Sequence, residues 1–525
     1  IFLNGLAIIS FELKCNPAGQ SYHDAITQYR TQRDATNRLF RFKSGCIVNF
    51  AMDLEEAYMT TKLDGDATVF LPFNMGRGEG VDAGAGNPLF QDKYSVYYMW
   101  EDILTKDTLV DLISKFIFIE RKEEKDETAG KKRVKETLIF PRYHQLDLIR
   151  KLLADVYEHG SSQNYLIEHS AGSGKTNSIA WLTYRLASLH DADDKVIFNT
   201  IIIITDRVVV DRQLQKAILG MDHKAGLIKV MDDKCTSSDL KWELEHNTKI
   251  IATTIQKFSY IVDSVSSLNG KKFAVVIDEA HSSTAGKDMQ AVTMALGSDD
   301  EELQDASDMI NEQIEKSGKQ SNVSMFAFTA TPKPKTLRLF GRLNKKGQYE
   351  AFHLYSMKQA IEEGYILDVL QNYTEYETMF RLNKEIEDDP ELKTDEAKRQ
   401  IARFIELHDT NIAQRVEVIV EHFRNVVKGE LDGMAKAMVV TASRASAVKY
   451  RQAFEDYIAR KGYEGISALV AFSGKVKLED DDTEYSEASM NGFREEQTPL
   501  LFDTDVYNVL IVANKYQVGF DQKKL

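Results

Sequence analysis

Residues 169–176 read His-Ser-Ala-Gly-Ser-Gly-Lys-Thr and follow directly on a short apolar run, Tyr165–Ile167. Gly172 and Gly174 let the backbone turn with no Cβ in the way, so that N–H groups can point inward at the oxygens of an anion. Apolar residues at helical spacing come next, and the start of that helix adds the positive end of its dipole. The stretch therefore predicts a phosphate-binding loop between a strand and a helix.

The end of this loop indicates a nucleoside triphosphate and its metal ion. Lys175 is placed to reach the β- and γ-phosphates, and the hydroxyl of Thr176 can bind Mg²⁺. The strict pattern begins with glycine where this chain has His169, but the core Gly-x-Gly-Lys-Thr is intact. We expect ATP and Mg²⁺ as cofactors, and the cofactor-binding residues of the loop are Ser170, Ala171, Gly172, Ser173, Gly174, Lys175 and Thr176.

The stretch before the first helix of this region adds a second nucleotide contact. It reads Phe-Pro-Arg-Tyr-His-Gln over residues 140–145. The amide of Gln145 carries both donors and an acceptor, so it could read both edges of adenine. This favours ATP over GTP, and it makes Arg142 and Gln145 further cofactor-binding candidates.

An acidic pair follows a second apolar strand. Ala274–Ile277 runs into Asp278-Glu279-Ala280-His281, and ligands of parallel α/β sheets bind beyond the carboxyl ends of the strands. Asp278 is suited to hold Mg²⁺, directly or through water, and Glu279 to orient or deprotonate the attacking water. Lys175, Asp278 and Glu279 are the catalytic candidates of this region. Thr329-Ala330-Thr331, after another apolar strand, is a candidate sensor of the nucleotide state.

Composition bounds the class of protein. The chain has 525 residues, enough for about three to four domains. Its three cysteines are too few and too scattered for a disulfide framework or a zinc cluster, which favours a cytoplasmic setting. No run of eighteen apolar residues occurs, so no membrane span is expected. The net charge of −15 argues against non-specific coating of nucleic acid, though not against a local nucleic-acid cleft.

The pattern of apolar runs predicts three regions and an α/β fold. Residues 1–120 mix short strands with one early helix, and residues 121–136 form a charge run that we interpret as a linker. Residues 137–355 alternate continuous apolar strands with helices, which is typical of a parallel sheet covered on both faces. Residues 356–525 repeat that pattern. A polar stretch at 298–322 is expected to loop out of the region at 137–355.

The ordered set of motifs resembles the superfamily 2 helicase-type motors. It comprises Arg142 with Gln145, the loop at 170–176, Thr205-Asp206-Arg207, Thr253-Thr254, the DEAH-like box at 278–281, Thr329–Thr331, Thr441–Arg444 and Gln517–Asp521. The resemblance implies ATP between two RecA-like domains, with Gly519 and Asp521 also at the nucleotide. It further implies that Thr205, Arg207, Thr253, Ser443 and Arg444 line the path of the nucleic acid. The usual arginine-finger motif has no match, so we expect the native protein to continue beyond Leu525.

The amino-terminal stretch carries a second candidate site. Glu12 and Lys14 lie two residues apart on an apolar strand, so both side chains point to one face. A carboxylate and an ammonium on one face can bind a divalent metal and position a water for phosphodiester attack. A surface ion pair explains an isolated Glu-x-Lys more often. The helix-like segment 20–33 supplies Gln28 nearby, which favours the catalytic interpretation.

This combination resembles the PD-(D/E)xK nuclease core, and nearly the whole chain resembles the restriction (R) subunit of type I restriction-modification systems. The resemblance implies an amino-terminal nuclease-like α/β domain followed by two RecA-like parallel-sheet domains. It makes Glu12, Lys14 and Gln28 catalytic, with Glu12, Thr176 and Asp278 as metal ligands. The family's Gln-x-x-x-Tyr signature is met only by Gln28, since Gln32 stands at the tyrosine position. The family's upstream aspartate is expected before Ile1, where the chain starts inside a domain.

The sequence is compatible with three different functions. The leading hypothesis is an ATP-driven double-stranded DNA translocase and endonuclease subunit, with separate methyltransferase and specificity subunits that recognise the DNA. A second is a stand-alone helicase that separates strands. A third is an ATP-binding scaffold without catalysis, against which the intact Lys175, Asp278 and Glu279 argue.

Overall fold

The computed structural model describes residues 1–125, 132–205, 228–231, 235–254, 270–278, 322–368, 409–478, 481–517, 520 and 522–525. The chain divides into two compact units. The first comprises residues 1–282 and 304–371, and the second comprises residues 283–303 and 372–525.

The strands and helices of the first unit have the following bounds. The strands are β1 (Phe2–Leu3), β2 (Leu6–Ala7), β3 (Ile9–Leu13), β4 (Val48–Met52), β5 (Ala57–Thr60), β6 (Leu71–Pro72), β7 (Phe118–Lys125), β8 (Lys132–Ile139), β9 (Asn164–His169), β10 (Thr200–Thr205), β11 (Ile228–Val230), β12 (Ile250–Thr254), β13 (Phe273–Ile277), β14 (Val323–Thr329), β15 (Arg342–Leu343), β16 (Tyr349–Glu350) and β17 (His353–Tyr355). The helices are α1 (Tyr22–Gln32), α2 (Lys106–Asp111), α3 (Tyr143–His159), α4 (Lys175–Ala187), α5 (Ser237–Glu245), α6 (Pro334–Phe340) and α7 (Met357–Glu362), with π-helical turns at Met99–Ile103 and Leu112–Phe116.

The amino-terminal sheet has the order β3-β4-β5-β6. Its first pair is parallel and the other two pairs are antiparallel. Helix α1 begins at a capping box in which the Ser21 N–H donates to the Asp24 carboxylate at 2.8 Å. The buried Ala25 and Tyr29 turn one face of α1 toward the sheet. The helix and the strand that carries Glu12 and Lys14 therefore pack together as one layer on another.

A parallel sheet forms the centre of the first unit. Seven of the described strands pair in the order β11-β12-β10-β13-β14-β9-β17, each parallel to its neighbour. Strands β10, β13 and β14 are buried along their whole length, because a parallel sheet is covered on both faces. The predicted parallel α/β fold is confirmed. All the carboxyl ends meet at one edge, where β9 leads into the phosphate-loop sequence and β13 leads into Asp278.

The charged segment at 121–136 differs from the expected linker. Residues 118–125 and 132–139 form an antiparallel pair of strands. Arg121 faces Glu136 across this pair, and their side chains form an ion pair at 3.0 Å. Opposite charges that face each other stabilise paired strands. A charge run read along the sequence shows no such cross-strand pairing, and for this reason the pattern suggested a linker.

The strands of the second unit are β18 (Ala437–Val440), β19 (Ala468–Ala471), β20 (Lys475–Leu478), β21 (Asp481–Ser486) and β22 (Val509–Val512). Three of them form a smaller parallel sheet of order β18-β22-β19, and β20 and β21 form an antiparallel pair. The helices of this unit are α8 (Asp409–His422), which continues as a π-helical turn at Phe423–Val427, α9 (Arg444–Lys461), α10 (Glu487–Asn491) and α11 (Thr498–Phe502). Residues of β19 and β22 are fully buried under α8 and α9. The second predicted α/β unit is thus confirmed.

None of the helices in the described ranges is both long enough and apolar enough to cross a membrane.

Candidate functional site

The predicted phosphate loop connects β9 to α4, as the sequence indicated. Gly172 and Gly174 have φ angles of 72° and 77°, in the left-handed region that favours glycine. Gly174 is the residue that caps α4. A Cβ at position 174 would lie 2.6 Å from Nε2 of Gln145 and 3.2 Å from Nη2 of Arg142. The tight packing around the loop therefore requires glycine at this position for steric as well as conformational reasons.

The start of α3 holds the carbonyl groups of this loop. Arg142 Nη2 donates to the Gly172 carbonyl at 2.8 Å, and Gln145 Nε2 lies 3.2 Å and 3.1 Å from the carbonyls of Ser173 and Gly174. Burial holds the pKa of His144 well below its usual value, so the ring is neutral and donates from Nε2 to the Ser173 carbonyl at 3.0 Å. Three consecutive carbonyls are thus bound by side chains of one helix, which fixes the loop.

These contacts bear on the predicted role of Gln145. Its Oε1 accepts from the Arg142 N–H at 2.9 Å, while its Nε2 contacts the loop. Both edges of the amide are therefore engaged within the protein. Reading adenine would require Gln145 to exchange these bonds, and in this structure the side chain positions the loop instead.

Several polar atoms around the loop are buried and have no hydrogen-bond partner among the described residues. They are Oγ of Ser170, Oγ of Ser173, Nδ1 of His169 and Nη1 of Arg142. A buried polar atom without a partner is unfavourable by about 1–3 kcal/mol. A polar ligand at the loop would supply partners for such atoms, and a phosphate group has the charge and the oxygen acceptors that the dipole of α4 favours.

The remaining nucleotide-site candidates lie at the same edge of the sheet. Lys175 Nζ is 3.4 Å from the carbonyl of His169, and Thr176 follows in the first turn of α4. Asp278 comes directly after β13, is 6% exposed and donates its N–H to the Ile204 carbonyl at 2.9 Å. A hydroxyl and a carboxylate are ligands that Mg²⁺ accepts, so Thr176 and Asp278 fit the predicted metal. Glu279, Gly519 and Asp521 lie outside the described residues.

The structure adds residues to this site that sequence reasoning missed. His353 and Tyr355 come from β17, next to β9, and Tyr355 stacks on His144 with ring centroids 4.0 Å apart. The Tyr355 hydroxyl donates to Glu363 at 2.7 Å, and the guanidinium of Arg142 lies 4.1 Å from the ring centroid of Tyr365. No motif marks these residues. The one signal in the sequence was His169 at a position where glycine is usual.

The replacement of Gly174 by alanine gives a first prediction. The Cβ would displace Gln145 from the loop, so we expect the KM for ATP to rise at least about tenfold, because about 1.4 kcal/mol of lost binding is a factor of ten. ATPase kinetics check this. Gly462→Ala is the matched control, since Gly462 has φ 65° with no atom within 4 Å of an added Cβ. Equal effects on KM would show that backbone strain, and not contact with Gln145, explains the loss.

The predicted nucleic-acid residues are less accessible than expected. Thr205 and Thr253 lie at the ends of the adjacent strands β10 and β12, but they are 1% and 2% exposed. In the second unit Ser443 caps α9 by accepting from the Ser446 N–H at 3.1 Å. Arg444 Nη1 lies 3.4 Å from the carbonyl of Ser473. Arg207 lies outside the described residues, and the path of a nucleic acid stays a prediction.

The candidate nuclease residues meet between β3 and α1. Lys14 Nζ donates to Oε1 of Gln28 at 2.6 Å, and Glu12 forms an ion pair with Arg33 at 2.5 Å. Ser10, on the same face of the strand, lies 2.8 Å from the hydroxyl of Tyr29. Ser10 and Glu12 on β3, and Lys14 directly after it, therefore all point toward the helix. Sequence reasoning missed Arg33, which follows the last residue of α1.

The metal predicted for this second site is supported only in part. Within the described ranges no group of three or more His, Cys, Asp or Glu side chains is placed to hold a metal ion. Glu12 supplies a single carboxylate, and Arg33 already neutralises it. Mg²⁺ prefers six oxygen ligands, several of them water. The described residues can therefore contribute one ligand to a metal site but do not complete one.

Known proteins share sequence features with this chain. Residues 144–402 match the family model described as SWI2/SNF2 ATPase. The chain is 21% identical over 577 aligned residues to a protein of Methanocaldococcus jannaschii named as the MjaVIIIP type I restriction enzyme endonuclease subunit. That alignment covers 99% of this chain and 50% of the relative. The MjaVIIP endonuclease subunit of the same organism is 27% identical over 280 residues, covering 50% of this chain and 24% of the relative.

Solved structures give a weaker likeness. A fragment of the HsdR subunit of a type I restriction enzyme from Vibrio vulnificus has a TM-score of 0.40 and 13% identity. The structural alignment covers 88% of this chain and 77% of that fragment. The chain spans about half the length of the first curated relative that it matches. Residues 144–402 thus carry the sequence features of the SWI2/SNF2 ATPases, and the chain is similar along nearly its whole length to type I restriction enzyme endonuclease subunits.

Proposed function

We propose that the chain is the motor and nuclease part of a type I restriction subunit. It hydrolyses ATP, moves along double-stranded DNA and cleaves it. One observation supports this proposal most strongly. The carbonyls of the loop at 170–174 accept hydrogen bonds from Arg142 and Gln145, which hold the loop in place. Within the described structure, buried polar atoms beside the loop have no hydrogen-bond partner. The loop ends at the amino terminus of α4, the positive end of the helix dipole. Such a loop is suited to bind a polyphosphate.

The residues of the motor have different roles in ATP hydrolysis. Lys175 neutralises negative charge on the β- and γ-phosphates. Thr176 and Asp278 would hold Mg²⁺, which would supply charge stabilisation for the transferring phosphoryl group. Glu279 orients the attacking water and accepts its proton. The side chains of α3 keep the loop in place while the phosphate charge is redistributed, so no reorganisation is needed at that moment.

The amino-terminal region supplies the cleavage chemistry. The ammonium of Lys14 stabilises the charge that develops on the scissile phosphate, and Glu12 would contribute one carboxylate ligand to a divalent metal. The Gln28 amide accepts from Lys14 at 2.6 Å and fixes its direction. Glu12 is paired with Arg33 in this structure, so it would bind a metal only without that partner. The methyltransferase and specificity subunits of the restriction complex are the proposed protein partners, and they recognise the DNA sequence.

The motor assignment is tested by the ATPase activity of the full-length protein, with and without linear duplex DNA. We expect duplex DNA to stimulate ATP hydrolysis at least about tenfold, because a translocase couples hydrolysis to movement only when it is bound to duplex DNA. Single-stranded DNA of equal nucleotide concentration is the comparison. Stimulation by single strands alone would favour a helicase that separates strands, and an absence of hydrolysis would favour the scaffold.

Glu279→Gln gives a second prediction. The change keeps the shape of the side chain and removes its ability to accept a proton. We therefore expect the turnover of ATP to fall by about 10²–10⁴, the usual contribution of general acid–base catalysis, while the affinity for a fluorescent ATP analogue stays within about twofold. Steady-state kinetics and an equilibrium titration separate the two quantities. Unchanged turnover would remove Glu279 from the catalytic machinery.

A further inference from the structure

A line of three polar side chains lies directly behind the phosphate loop. Nε2 of His169 is 2.8 Å from Nδ1 of His353, and Nε2 of His353 is 3.0 Å from Oδ2 of Asp147. The residues come from β9, β17 and α3, which are three neighbouring elements of the first unit. His169 is fully buried and His353 is 8% exposed. His169 stands at the first position of the loop, where the strict phosphate-loop pattern has glycine.

The direction of the hydrogen bond to Asp147 follows from the charge of this residue. Burial alone would raise the pKa of this carboxyl, but hydrogen bonds from His353 and Lys151 hold it below its usual value, so Asp147 is ionised at neutral pH. It therefore accepts from Nε2 of His353. Nδ1 of His353 and Nε2 of His169 share the second hydrogen bond, whose donor is set by the tautomers of the two rings. Burial also holds the pKa of His169 well below its usual value, which agrees with a neutral ring.

The line ends at the point where the loop leaves the sheet. His169 pairs with Tyr355 across β9 and β17, and the next residue, Ser170, donates its N–H to the Tyr355 carbonyl at 3.0 Å. The carbonyl of His169 lies 3.4 Å from Nζ of Lys175. A fixed imidazole at position 169 therefore fixes both the start of the loop and the acceptor that faces Lys175. A glycine at this position has no side chain with which to do so.

We propose that Asp147 and His353 are positioning residues, which hold His169 and through it orient the phosphate loop and Lys175 for nucleotide binding. This inference rests on the proposed ATPase function and deepens it. The residues do not touch the nucleotide. Their loss lowers the fraction of molecules in which the loop is ready to bind, so the apparent affinity falls while the chemical step of a bound complex is preserved.

The test compares His353→Ala and Asp147→Asn with the wild-type full-length protein. We expect both changes to raise the KM for ATP and the dissociation constant of a fluorescent ATP analogue about tenfold, with kcat within about twofold. His353→Gln should restore most of the affinity, because an amide presents an acceptor and a donor at about the spacing of the two ring nitrogens. His190→Ala, at an exposed residue that forms a β-bridge with Val196, is the histidine control. Measurements are made well below the unfolding midpoint of each variant.

The outcomes separate this inference from the proposed function. Wild-type binding that is lost in Lys175→Ala but unchanged in His353→Ala and Asp147→Asn would overturn the positioning role alone. A loss that His353→Gln does not restore would also overturn it, because the hydrogen-bond line would then not be the cause. A wild-type protein that does not bind the ATP analogue would overturn the proposed function, and the inference with it.

Discussion

Lys175→Ala is expected to lower the DNA-stimulated ATPase activity at least about 10³-fold, and to abolish every movement along DNA that depends on it. The ammonium group is the charge placed to stabilise the transferring phosphoryl oxygens. The loss of one preorganised group of this kind usually lowers kcat by about 10²–10³, and weaker ATP binding adds to that. Steady-state hydrolysis in the presence of duplex DNA measures the effect.

The matched control is Lys195→Ala. Lys195 is an exposed lysine whose side chain lies 3.6 Å from the Asp193 carboxylate. Exposed ion pairs contribute little to stability, so this variant should keep wild-type activity. If Lys175→Ala retained more than about a tenth of the wild-type rate, the loop at 170–176 would not be the site of hydrolysis.

Glu12→Gln and Lys14→Ala are expected to abolish DNA cleavage, while the ATPase activity stays within about twofold of the wild type. The two sites lie on different sheets of the first unit, the nuclease candidates on β3 and the phosphate loop after β9. Removing the charge of Glu12 removes a metal ligand, and removing Lys14 removes the cation opposite the scissile phosphate. Conversion of covalently closed plasmid by the assembled restriction complex measures cleavage.

Leu13→Ser is the control for this pair. Leu13 lies between the two residues on β3, is 63% exposed, and points to the opposite face of the strand. It should leave cleavage and hydrolysis unchanged. An equal fall of ATPase activity in Glu12→Gln would contradict the division of labour between the two sites. Full cleavage would leave Glu12 and Lys14 as structural residues that pair with Arg33 and Gln28.

The parallel sheets could be predicted because their strands are continuous apolar runs. Ile201–Ile204 and Ala274–Ile277 correspond to β10 and β13 within one residue at each end. A strand buried on both faces must be apolar along its length, and few other elements share that pattern with flanking helices. The charged strands at 118–125 and 132–139 were not predicted, because their stabilising pairs join residues on different strands, which a local pattern does not display.

The sequence predicted the loop between a strand and a helix, but not the side chains that support it. Gly172 and Gly174 have left-handed φ angles and Lys175 begins α4, while phosphate binding by these residues stays a prediction. His353 bonds to His169 and to Asp147 over separations of 184 and 206 residues, and no spacing in the sequence brings these residues together. The role of Gln145 could not be predicted either, since an amide can bind adenine or hold a loop. Its hydrogen-bond partners in the folded protein decide between these roles.

ATP hydrolysis is proposed to move the protein along intact duplex DNA, and displacement of a third strand from a triplex distinguishes this movement from strand separation. A labelled oligonucleotide is bound in the major groove at a distance from the recognition site, and its release is followed after ATP addition to the full restriction complex. We expect release that requires ATP, is delayed in proportion to that distance and is lost in Lys175→Ala. Strand separation of a forked duplex without triplex release would rule out translocation on intact duplex.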